Sequence, residues 1–333
     1  MKSVSELRQD LVSGEWVVIA TGRAKRPDEF LKIKRPDFQQ PKKGCPFENL
    51  HKDALVAYSL DGRRGEENWQ VQVFPNKYPA FGIGRCAVFN KIGPYKWTDG
   101  VGFHEVVATR DHHKSIAEMS DEEVELVIRA YQDRYLAMKD EECVEYISIF
   151  HNHGKQAGAT LYHPHSQIIA IPVTPPDFSR SLKGSAAHFK GRGSCVHCME
   201  LKYEMRVKKR IIYENEHFIA TAPYASKTAF EMRIFPKKHS SNFEDIRKKD
   251  GMYLANALRV SLAKLFKGLK NPDYNFFLHT APTSDGGKFS YYHWHFEILP
   301  KTAIWAGFEI GTGIEISTIA PETAADFLRK IKV

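Results

Sequence analysis

Apolar residues occur along this chain in two patterns, as short runs of β-branched and aromatic residues and as a longer stretch at helical spacing. The segments "YISIF" (146–150) and "QIIAI" (167–171) have the composition of strands. Ser120 and Glu123 form a capping box that sets the start of a helix. The apolar side chains that follow share one face of that helix: Val124, Val127, Ile128, Tyr131, Tyr135 and Met138. These patterns predict an α+β fold, an antiparallel sheet with a helix packed on one face.

The same order of elements occurs twice. Each copy reads strand, histidine, helix, strand, glycine-containing loop, H-x-H strand and proline, first from residue 104 and again from residue 230. His112 precedes His163 by 51 residues, and His239 precedes His293 by 54. Agreement in order and spacing indicates an internal duplication of one α+β unit. We therefore predict two domains, 1–176 and 177–333, joined through the Pro-, Gly- and Ser-rich stretch 172–194.

Composition is that of a globular protein with room for two cores. The chain has 333 residues, 42% of them hydrophobic and 26% charged, which fits about two domains of roughly 150 residues. The net charge of +8 is dispersed, and no DNA-reading zinc finger or RNA-recognition signature occurs, so a nucleotide-like acidic substrate fits better than nucleic acid. No apolar run reaches the roughly 20 residues of a membrane span, and no secretory signal is visible. We expect a cytoplasmic protein without a membrane partner.

Five cysteines are present, an odd number that argues against a disulfide framework in a cytosolic chain. Cys195 and Cys198 form a C-x-x-C pair. Metal binding is the favoured interpretation, because a redox pair usually opens a helix in a thioredoxin-like unit, and no such unit is visible here.

The H-x-H segments carry the candidate chemistry. Side chains two residues apart on a strand point to the same face, so His163 faces the same way as His165, and His293 the same way as His295. A single histidine in a strand is usually structural, but two such pairs in a repeated context favour a function. The two imidazoles could bind one metal together. Alternatively, one could hold a metal while the other acts as a nucleophile towards phosphorus.

Several ordered motifs resemble one known family. The segment "HPHSQ" (163–167) is similar to the active-site motif of the galactose-1-phosphate uridylyltransferases of the histidine-triad superfamily, which the plant-type ADP-glucose phosphorylases share. "SGEWVVIATGRAKRP" (13–27) resembles the family's N-terminal strand and arginine pair, and "VFPNKYPAF" (73–81) its nucleoside-binding segment. "GFEIGTG" (307–313) resembles its sugar-phosphate loop, so the resemblance spans nearly the whole chain.

The resemblance implies a set of site residues. His165 would be the nucleophile that takes the nucleoside monophosphate, and the Gln167 amide would donate to the phosphoryl oxygens. The implied substrate contacts are Arg23 and Arg26 at the phosphates, Asn76 at the nucleoside, Asn152 and Thr160 at phosphate or ribose, and Glu309 in the sugar-phosphate loop. Glutamine cannot act as a general acid or base, which favours transfer between phosphates over hydrolysis.

The resemblance also implies one or two zinc ions per chain. The first set would be Cys45, Glu48, His112 and His163, with Glu48 in the place of a second cysteine. A carboxylate can bind zinc, although His51 or water could substitute. The second set would be Cys195, Cys198, His239 and His293. Some relatives instead use residues matching His279, His293 and His295, but thiolates are strong zinc ligands and the cysteine set is preferred.

The function implied is nucleotidyl transfer between a nucleotide sugar and a sugar 1-phosphate. UDP-glucose and galactose 1-phosphate, within galactose metabolism, are the first expectation, with a homodimer that shares its sites. Lys77 stands where well-known uridylyltransferases have aspartate, and "GFEIGTG" is nearer the adenylyl-transferring relatives. The second expectation is therefore an ADP-sugar phosphorylase or adenylyltransferase. A non-catalytic nucleotide-binding protein is the third, and the presence of His165 with Gln167 argues against it.

Overall fold

The computed structural model describes residues 5–23, 39–62, 68–82, 84, 86, 89–283 and 287–333. Strands dominate the first half, and helices are more frequent in the second. The strands are β1 Glu6–Gln9, β2 Trp16–Ile19, β3 Val56–Tyr58, β4 Val71–Pro75, β5 Asn90–Ile92, β6 Tyr95–Trp97, β7 Phe103–Thr109, β8 Tyr146–His153, β9 His165–Ile171, β10 Ile211–Glu214, β11 Phe218–Thr221, β12 Met232–Pro236, β13 Tyr274–His279, β14 His295–Pro300 and β15 Glu315–Ser317. The α-helices are α1 Asp121–Met138, α2 Pro176–Arg192, α3 Val196–Val207, α4 Lys248–Leu269, α5 Gly307–Thr312 and α6 Pro321–Lys330. Short 3-10 turns lie at Thr21–Arg23, Ile116–Glu118, Lys155–Ala157 and Phe243–Asp245.

One antiparallel sheet of ten strands runs through both halves of the chain. Its order is β10-β11-β12-β14-β13-β8-β9-β7-β4-β3. The halves join where β13 pairs with β8, with Tyr274 opposite His153 and Phe277 opposite Phe150. A smaller sheet, β1-β2-β15, and the hairpin β5-β6 lie outside it. The predicted α+β class with an antiparallel sheet is confirmed.

The helix predicted over 120–138 is present as α1. Ser120 caps it, accepting a hydrogen bond from the Glu123 amide, while the Glu123 carboxylate accepts one from the Ser120 amide. All the apolar residues predicted for its inner face are buried. They enter a hydrophobic core to which α4 and strands from both halves also contribute. Helices α1 and α4 thus cover one face of the sheet, and the other face carries smaller apolar clusters, one of them packed against α2.

The two copies of the repeat are arranged symmetrically about the β8–β13 pair. In the first copy β9 lies between β8 and β7, and in the second β14 lies between β13 and β12. Each copy places its helix, α1 or α4, between its first and second strands in the chain. This order is what a duplication predicts, and the duplication itself stays our interpretation. The boundary between 176 and 177 falls in the first turn of α2 and also stays a prediction.

Most of the predicted inter-domain stretch 172–194 is helical, because it forms helix α2. Pro176 occupies its first turn, where a missing amide hydrogen costs nothing. Phe178, Leu182 and Ser185 are buried at helical spacing. Gly184 lies so close to the Val12 carbonyl oxygen that a Cβ atom there would be 1.7 Å from it. The glycine therefore allows α2 to pack closely on the N-terminal segment, although the composition of residues 172–194 is typical of a loop.

Three further features of the structure bear on the expectations about disulfides, the sugar-phosphate loop and membrane spans. Cys86 and Cys143 form a disulfide with Cα atoms 5.2 Å apart, so one bridge exists where no disulfide framework was expected. The expected sugar-phosphate loop is the short helix α5, Gly307–Thr312. Among the described residues, no helix has the length and apolar character needed to cross a bilayer.

Candidate functional site

The H-x-H strand of the first copy begins at His165. The Nδ1–H group of His165 donates to the His163 carbonyl oxygen at 2.9 Å, which leaves the lone pair on Nε2. Burial lowers the pKa of His165, against the opposing effect of that hydrogen bond. The ring of Phe47 lies beside it, with ring centroids 5.1 Å apart. The structure therefore presents a neutral imidazole with an oriented, unprotonated Nε2.

The strand is held from its core side by a buried hydrogen-bond chain. The Ser166 hydroxyl lies 2.5 Å from the Tyr131 hydroxyl and 3.0 Å from Nδ1 of His151. Burial lowers the pKa of His151 well below its usual range, so it serves here as a neutral partner. Tyr131 comes from α1 and His151 from β8. Helix and sheet together thus fix the register of the residue that follows the nucleophile candidate.

Gln167 lies on the same face of β9 as His165, and a histidine that sequence reasoning missed contacts it. Nε2 of His104 is 2.7 Å from Gln167 Oε1 and 3.0 Å from Asn76 Nδ2. Nδ1 of His104 accepts a hydrogen bond from the Ala80 amide at 3.1 Å. The predicted nucleoside segment and the predicted phosphate-binding amide thus meet at one imidazole. Only the register of β7 against β9 reveals this, and it was not readable from the sequence.

Asn152 also reaches the His165 face. Phe150 pairs with Gln167 across β8 and β9, so Asn152 lies opposite His165 in the antiparallel register. Asn275 from the second half donates to Asn152 Oδ1 at 2.7 Å and to the Ala157 carbonyl at 2.8 Å. Because the Ala157 carbonyl can only accept, it fixes the orientation of the Asn275 amide. Sequence reasoning had no means to find Asn275, since the β8–β13 pairing supplies it.

Two of the other predicted substrate contacts, Thr160 and Glu309, make described hydrogen bonds that do not involve His165. Thr160 is exposed on the loop before the strand, where its carbonyl accepts a bond from Gln40 at 3.3 Å. Glu309 lies in α5 and accepts a bond from the Ala306 amide at 3.0 Å. Arg23 ends a 3-10 turn, and Arg26 lies outside the described residues. The roles of these four stay predictions.

The first predicted metal set comes together beside His165. Ligand atoms of Cys45, Glu48, His112 and His163 all lie within 4.8 Å of one another. Cys45 Sγ is 3.6 Å from His163 Nδ1, and Glu48 contacts Nδ1 of both His112 and His163. We call this group the first cluster.

The first cluster has the outer contacts that a metal site needs. Nε2–H of His163 donates to the Thr109 carbonyl at 2.6 Å, and Nε2–H of His112 donates to the Gln40 carbonyl at 2.8 Å. Each imidazole therefore turns its Nδ1 lone pair inward, which is how metal-bound histidines are usually fixed. Glu48 takes the place expected of it, so the residues fit a cation with a mixed S, N and O donor set.

The second predicted set, Cys195, Cys198, His239 and His293, also comes together, with ligand atoms within 4.8 Å. We call it the second cluster. Cys198 Sγ is 3.2 Å from His239 Nδ1 and 3.5 Å from His293 Nδ1, and His239 Nε2–H donates to the Ser290 carbonyl at 2.8 Å. The hydrogen bond from Cys198 lowers the pKa of the Cys195 thiol, against burial. Cys195 also occupies the N-cap position of α3, where the helix N-terminus favours a thiolate. This set fits zinc.

The H-x-H segment of the second copy does not present an accessible imidazole. The His295 ring is buried and stacks on Phe235 and His279, with centroids 4.6 and 5.1 Å away. Glu297 occupies the place of Gln167 and lies 3.6 Å from the Arg233 guanidinium. Burial lowers the pKa of His279 to about 4. A phosphate here would meet a carboxylate and a covered ring, so the first copy is the one that offers an accessible imidazole.

The continuous antiparallel sheet, its packed helices and the paired H-x-H strands define a histidine-triad-like protein. Residues 1–175 match the family model described as galactose-1-phosphate uridyl transferase, N-terminal domain, and residues 101–331 match one described as a domain of unknown function. The first match spans more than half of the chain, so the protein belongs to the galactose-1-phosphate uridyl transferase family. The resemblance inferred from the motifs is confirmed.

Relatives of two named activities align over nearly the whole chain. ADP-glucose phosphorylase of Arabidopsis thaliana is 33% identical over 98% of this chain and 93% of its own length. Galactose-1-phosphate uridylyltransferase of Thermotoga maritima is 29% identical over 98% of this chain and 99% of its own. A solved structure of an ADP-glucose phosphorylase from Arabidopsis thaliana with bound ADP-glucose gives a TM-score of 0.82 at 29% identity, covering 99% of this chain and 100% of the other.

Proposed function

We propose that this protein is a hexose-1-phosphate nucleotidylyltransferase that works through a nucleotidyl-histidine at His165. The observation that carries the proposal is the hydrogen bond from His165 Nδ1 to the His163 carbonyl, which leaves Nε2 unprotonated on the face of β9 that also carries Gln167. Family membership supplies the class of reaction. UDP-glucose and a hexose 1-phosphate such as galactose 1-phosphate are the first candidate substrates, and the uridylyltransferase relative supports them.

Two displacements make up the proposed reaction. Nε2 of His165 attacks the α-phosphorus, an N–P bond forms, and the bond from that phosphorus to the bridging oxygen breaks. The sugar 1-phosphate leaves with the electron pair as a stable anion, so no proton donor is needed. A phosphate oxygen of the acceptor then attacks the same phosphorus and the N–P bond breaks. The amide donors of Gln167 and Asn152 stabilise the charge on the phosphoryl oxygens in both steps.

An ADP-sugar phosphorylase or adenylyltransferase is the second candidate. The alignment with ADP-glucose phosphorylase of Arabidopsis thaliana, at 33% identity over 98% of this chain, favours it. The same His165 chemistry would then transfer an adenylyl group, with inorganic phosphate or a sugar phosphate as acceptor. The two candidates differ at the nucleoside segment around Asn76, and the nucleophile is the same in both.

Zinc is the metal that we propose for both clusters. The second cluster would hold a structural ion between two thiolates and two imidazoles. In the first cluster the ion would fix the ring of His163 and so the backbone carbonyl that orients His165. The metal would supply rigidity and local positive charge next to the site. The transfer itself is carried by the chain's own residues.

We also propose that the protein is a cytoplasmic homodimer in which one chain completes the site of the other. The β5-β6 hairpin exposes Ile92, Tyr95 and Trp97, with 66, 73 and 48% of their surfaces accessible. Apolar side chains grouped in this way favour burial against another protein surface. Light scattering of the purified protein tests the assembly.

Intact-mass spectrometry tests the central proposal. The protein is incubated with UDP-glucose or ADP-glucose without an acceptor, and one nucleoside monophosphate per chain should be added. The mass of the adduct identifies the nucleotide, and adding sugar 1-phosphate or inorganic phosphate should discharge it. His165→Gly should abolish the adduct, whereas His217→Gly, a control in the second half, should keep it. An adduct of equal yield in His165→Gly would contradict the assignment.

A further inference from the structure

His104 lies between two parts of the proposed site and has no role in the chemistry described above. It is the second residue of β7, half-buried on the face that also carries Gln167. Its side chain contacts the Ala80 amide, the Asn76 amide group and Gln167 Oε1. Its own carbonyl accepts a hydrogen bond from the Asn76 backbone amide at 2.8 Å. One residue thus ties the nucleoside segment to the strand that carries the nucleophile.

The Ala80 contact determines which nitrogen of His104 carries the proton. A backbone N–H can only donate, so Nδ1 must accept it with a lone pair. In a neutral imidazole the proton is then on Nε2, and Nε2–H becomes a donor. The opposite tautomer would bring two N–H groups together 3.1 Å apart.

The tautomer in turn fixes the Gln167 amide. Nε2–H of His104 finds its acceptor in Gln167 Oε1, at 2.7 Å. The NH2 group of Gln167 must then point away from His104. The Tyr78 amide similarly donates to Asn76 Oδ1 at 2.9 Å, so the Asn76 NH2 group faces an already protonated nitrogen. This 3.0 Å contact sets two donors side by side and is not a hydrogen bond in this tautomer, but the Asn76 side chain can turn away from it whereas the backbone N–H of Ala80 cannot.

We infer that His104 is a positioning residue that holds the Gln167 amide with its donors facing the phosphoryl group. This inference rests on the proposed function, because it assigns a donor to the group that His165 attacks. Without His104 the amide could rotate by half a turn and place its carbonyl oxygen against a phosphoryl oxygen. A donor that stabilises charge would then become a repulsive acceptor. A loss of this kind lowers kcat more than it raises KM, because the developing charge is felt in the transition state.

Two substitutions separate the two nitrogens of His104. In His104→Gln, the amide nitrogen reaches the position of Nε2 and can still donate to Gln167. In His104→Asn, the amide oxygen replaces Nδ1 and can still accept from Ala80, but the donor to Gln167 is lost. His104→Asn should lower kcat roughly 10- to 100-fold with little change in KM, while His104→Gln should stay within about threefold of the wild type. In a Gln167→Ala background, His104→Asn should have little further effect.

Each named result supports or overturns the inference. Wild-type kcat in His104→Asn, equal losses in both variants, or full additivity with Gln167→Ala would overturn it while leaving the His165 adduct, and so the proposed function, intact. Absence of an adduct in the wild type with either nucleotide sugar would overturn both. Thermal unfolding and zinc content of each variant show that the fold is retained. Nitrogen-15 NMR of the histidine rings adds a readout that needs no activity, and a proton on Nδ1 of His104 would overturn the inference by itself.

Discussion

The Asn275 side chain donates to Asn152 Oδ1 at 2.7 Å, across the β8–β13 pair that joins the two halves of the chain. The oxygen of Asn152 is thereby occupied, and its NH2 group is turned towards the His165 face. The second half of the chain thus orients Asn152 in the first half, although the histidines of its own H-x-H segment are buried. This explains in physical terms why one continuous sheet serves a site built mainly by its first half.

Asn275→Ala should lower the transfer rate without removing the nucleophile. The Asn152 amide loses the partner that fixes its orientation, and we expect kcat to fall roughly tenfold, the effect of about one hydrogen bond. Steady-state kinetics with the active nucleotide sugar measure this. Asn256→Ala, far from the site where its side chain contacts Tyr213 and Asp121, is the matched control and should keep kcat. Equal kcat in both variants would argue against the role of Asn275.

Removal of the second cluster should destabilise the fold. Cys195→Ser replaces a thiolate ligand by a neutral hydroxyl, so the metal content should fall by one ion per chain and the unfolding temperature by several degrees. The cluster joins α3 to the loop before β14, which is why its loss should be felt in stability. Elemental analysis and calorimetry measure the two effects. Full metal content with unchanged unfolding would show that these four residues do not form the site.

The first cluster should bind its ion less tightly than the second, because Glu48 stands where a thiolate would bind zinc more strongly. Chelator titration should release one ion before the other. Glu48→Cys should slow that release, whereas Glu48→Ala should remove the ion altogether. Adduct formation at His165 should fall with the loss of this ion, because the His163 carbonyl is then less firmly held. Release of both ions together in the wild type would contradict the ranking.

The local features of this fold and site could be predicted from the sequence. The features that depend on which β-strands pair, and in which register, could not. The face of α1 and the strands around "YISIF" and "QIIAI" follow from spacing and composition within the first repeat, whereas the two metal sets were implied by the family resemblance. His104 and Asn275 were not predicted as site residues, because their roles depend on the register of β7 with β9 and of β8 with β13. Helix α2 was not predicted, because the sequence alone does not distinguish a glycine required for close packing from a glycine required for a turn.

Stability should depend on pH through Glu231. Burial and the neighbouring Glu297 raise its pKa to about 8, against the opposing charges of Arg233 and Lys227. The folded state therefore holds this proton more tightly than the unfolded state, so the free energy of unfolding should fall as the pH rises from about 4.5 to about 8. Glu231→Gln removes this titration. The unfolding temperature of the variant, relative to that of the wild type, should therefore increase with rising pH.

The control for Glu231 is Glu216→Gln, an exposed change that should leave the pH dependence as it is. Unfolding temperatures measured between about pH 5 and pH 9 span the range in which Glu231 titrates. Curves for Glu231→Gln and the wild type that run parallel over this range would show that Glu231 does not titrate as described.

Gly184 provides the sharpest test of the packing of α2. A Cβ atom there would lie 1.7 Å from the Val12 carbonyl oxygen, a backbone atom that cannot move aside cheaply, so Gly184→Ala should destabilise the fold by about 1–3 kcal/mol. Gly191 lies on the same helix with nothing within 4 Å of its Cβ position. Gly191→Ala should therefore be neutral or stabilise by up to about 1 kcal/mol, because alanine favours the helix. Denaturant unfolding of both variants measures the difference. Equal stability would mean that α2 does not rest on the N-terminal segment as the structure has it.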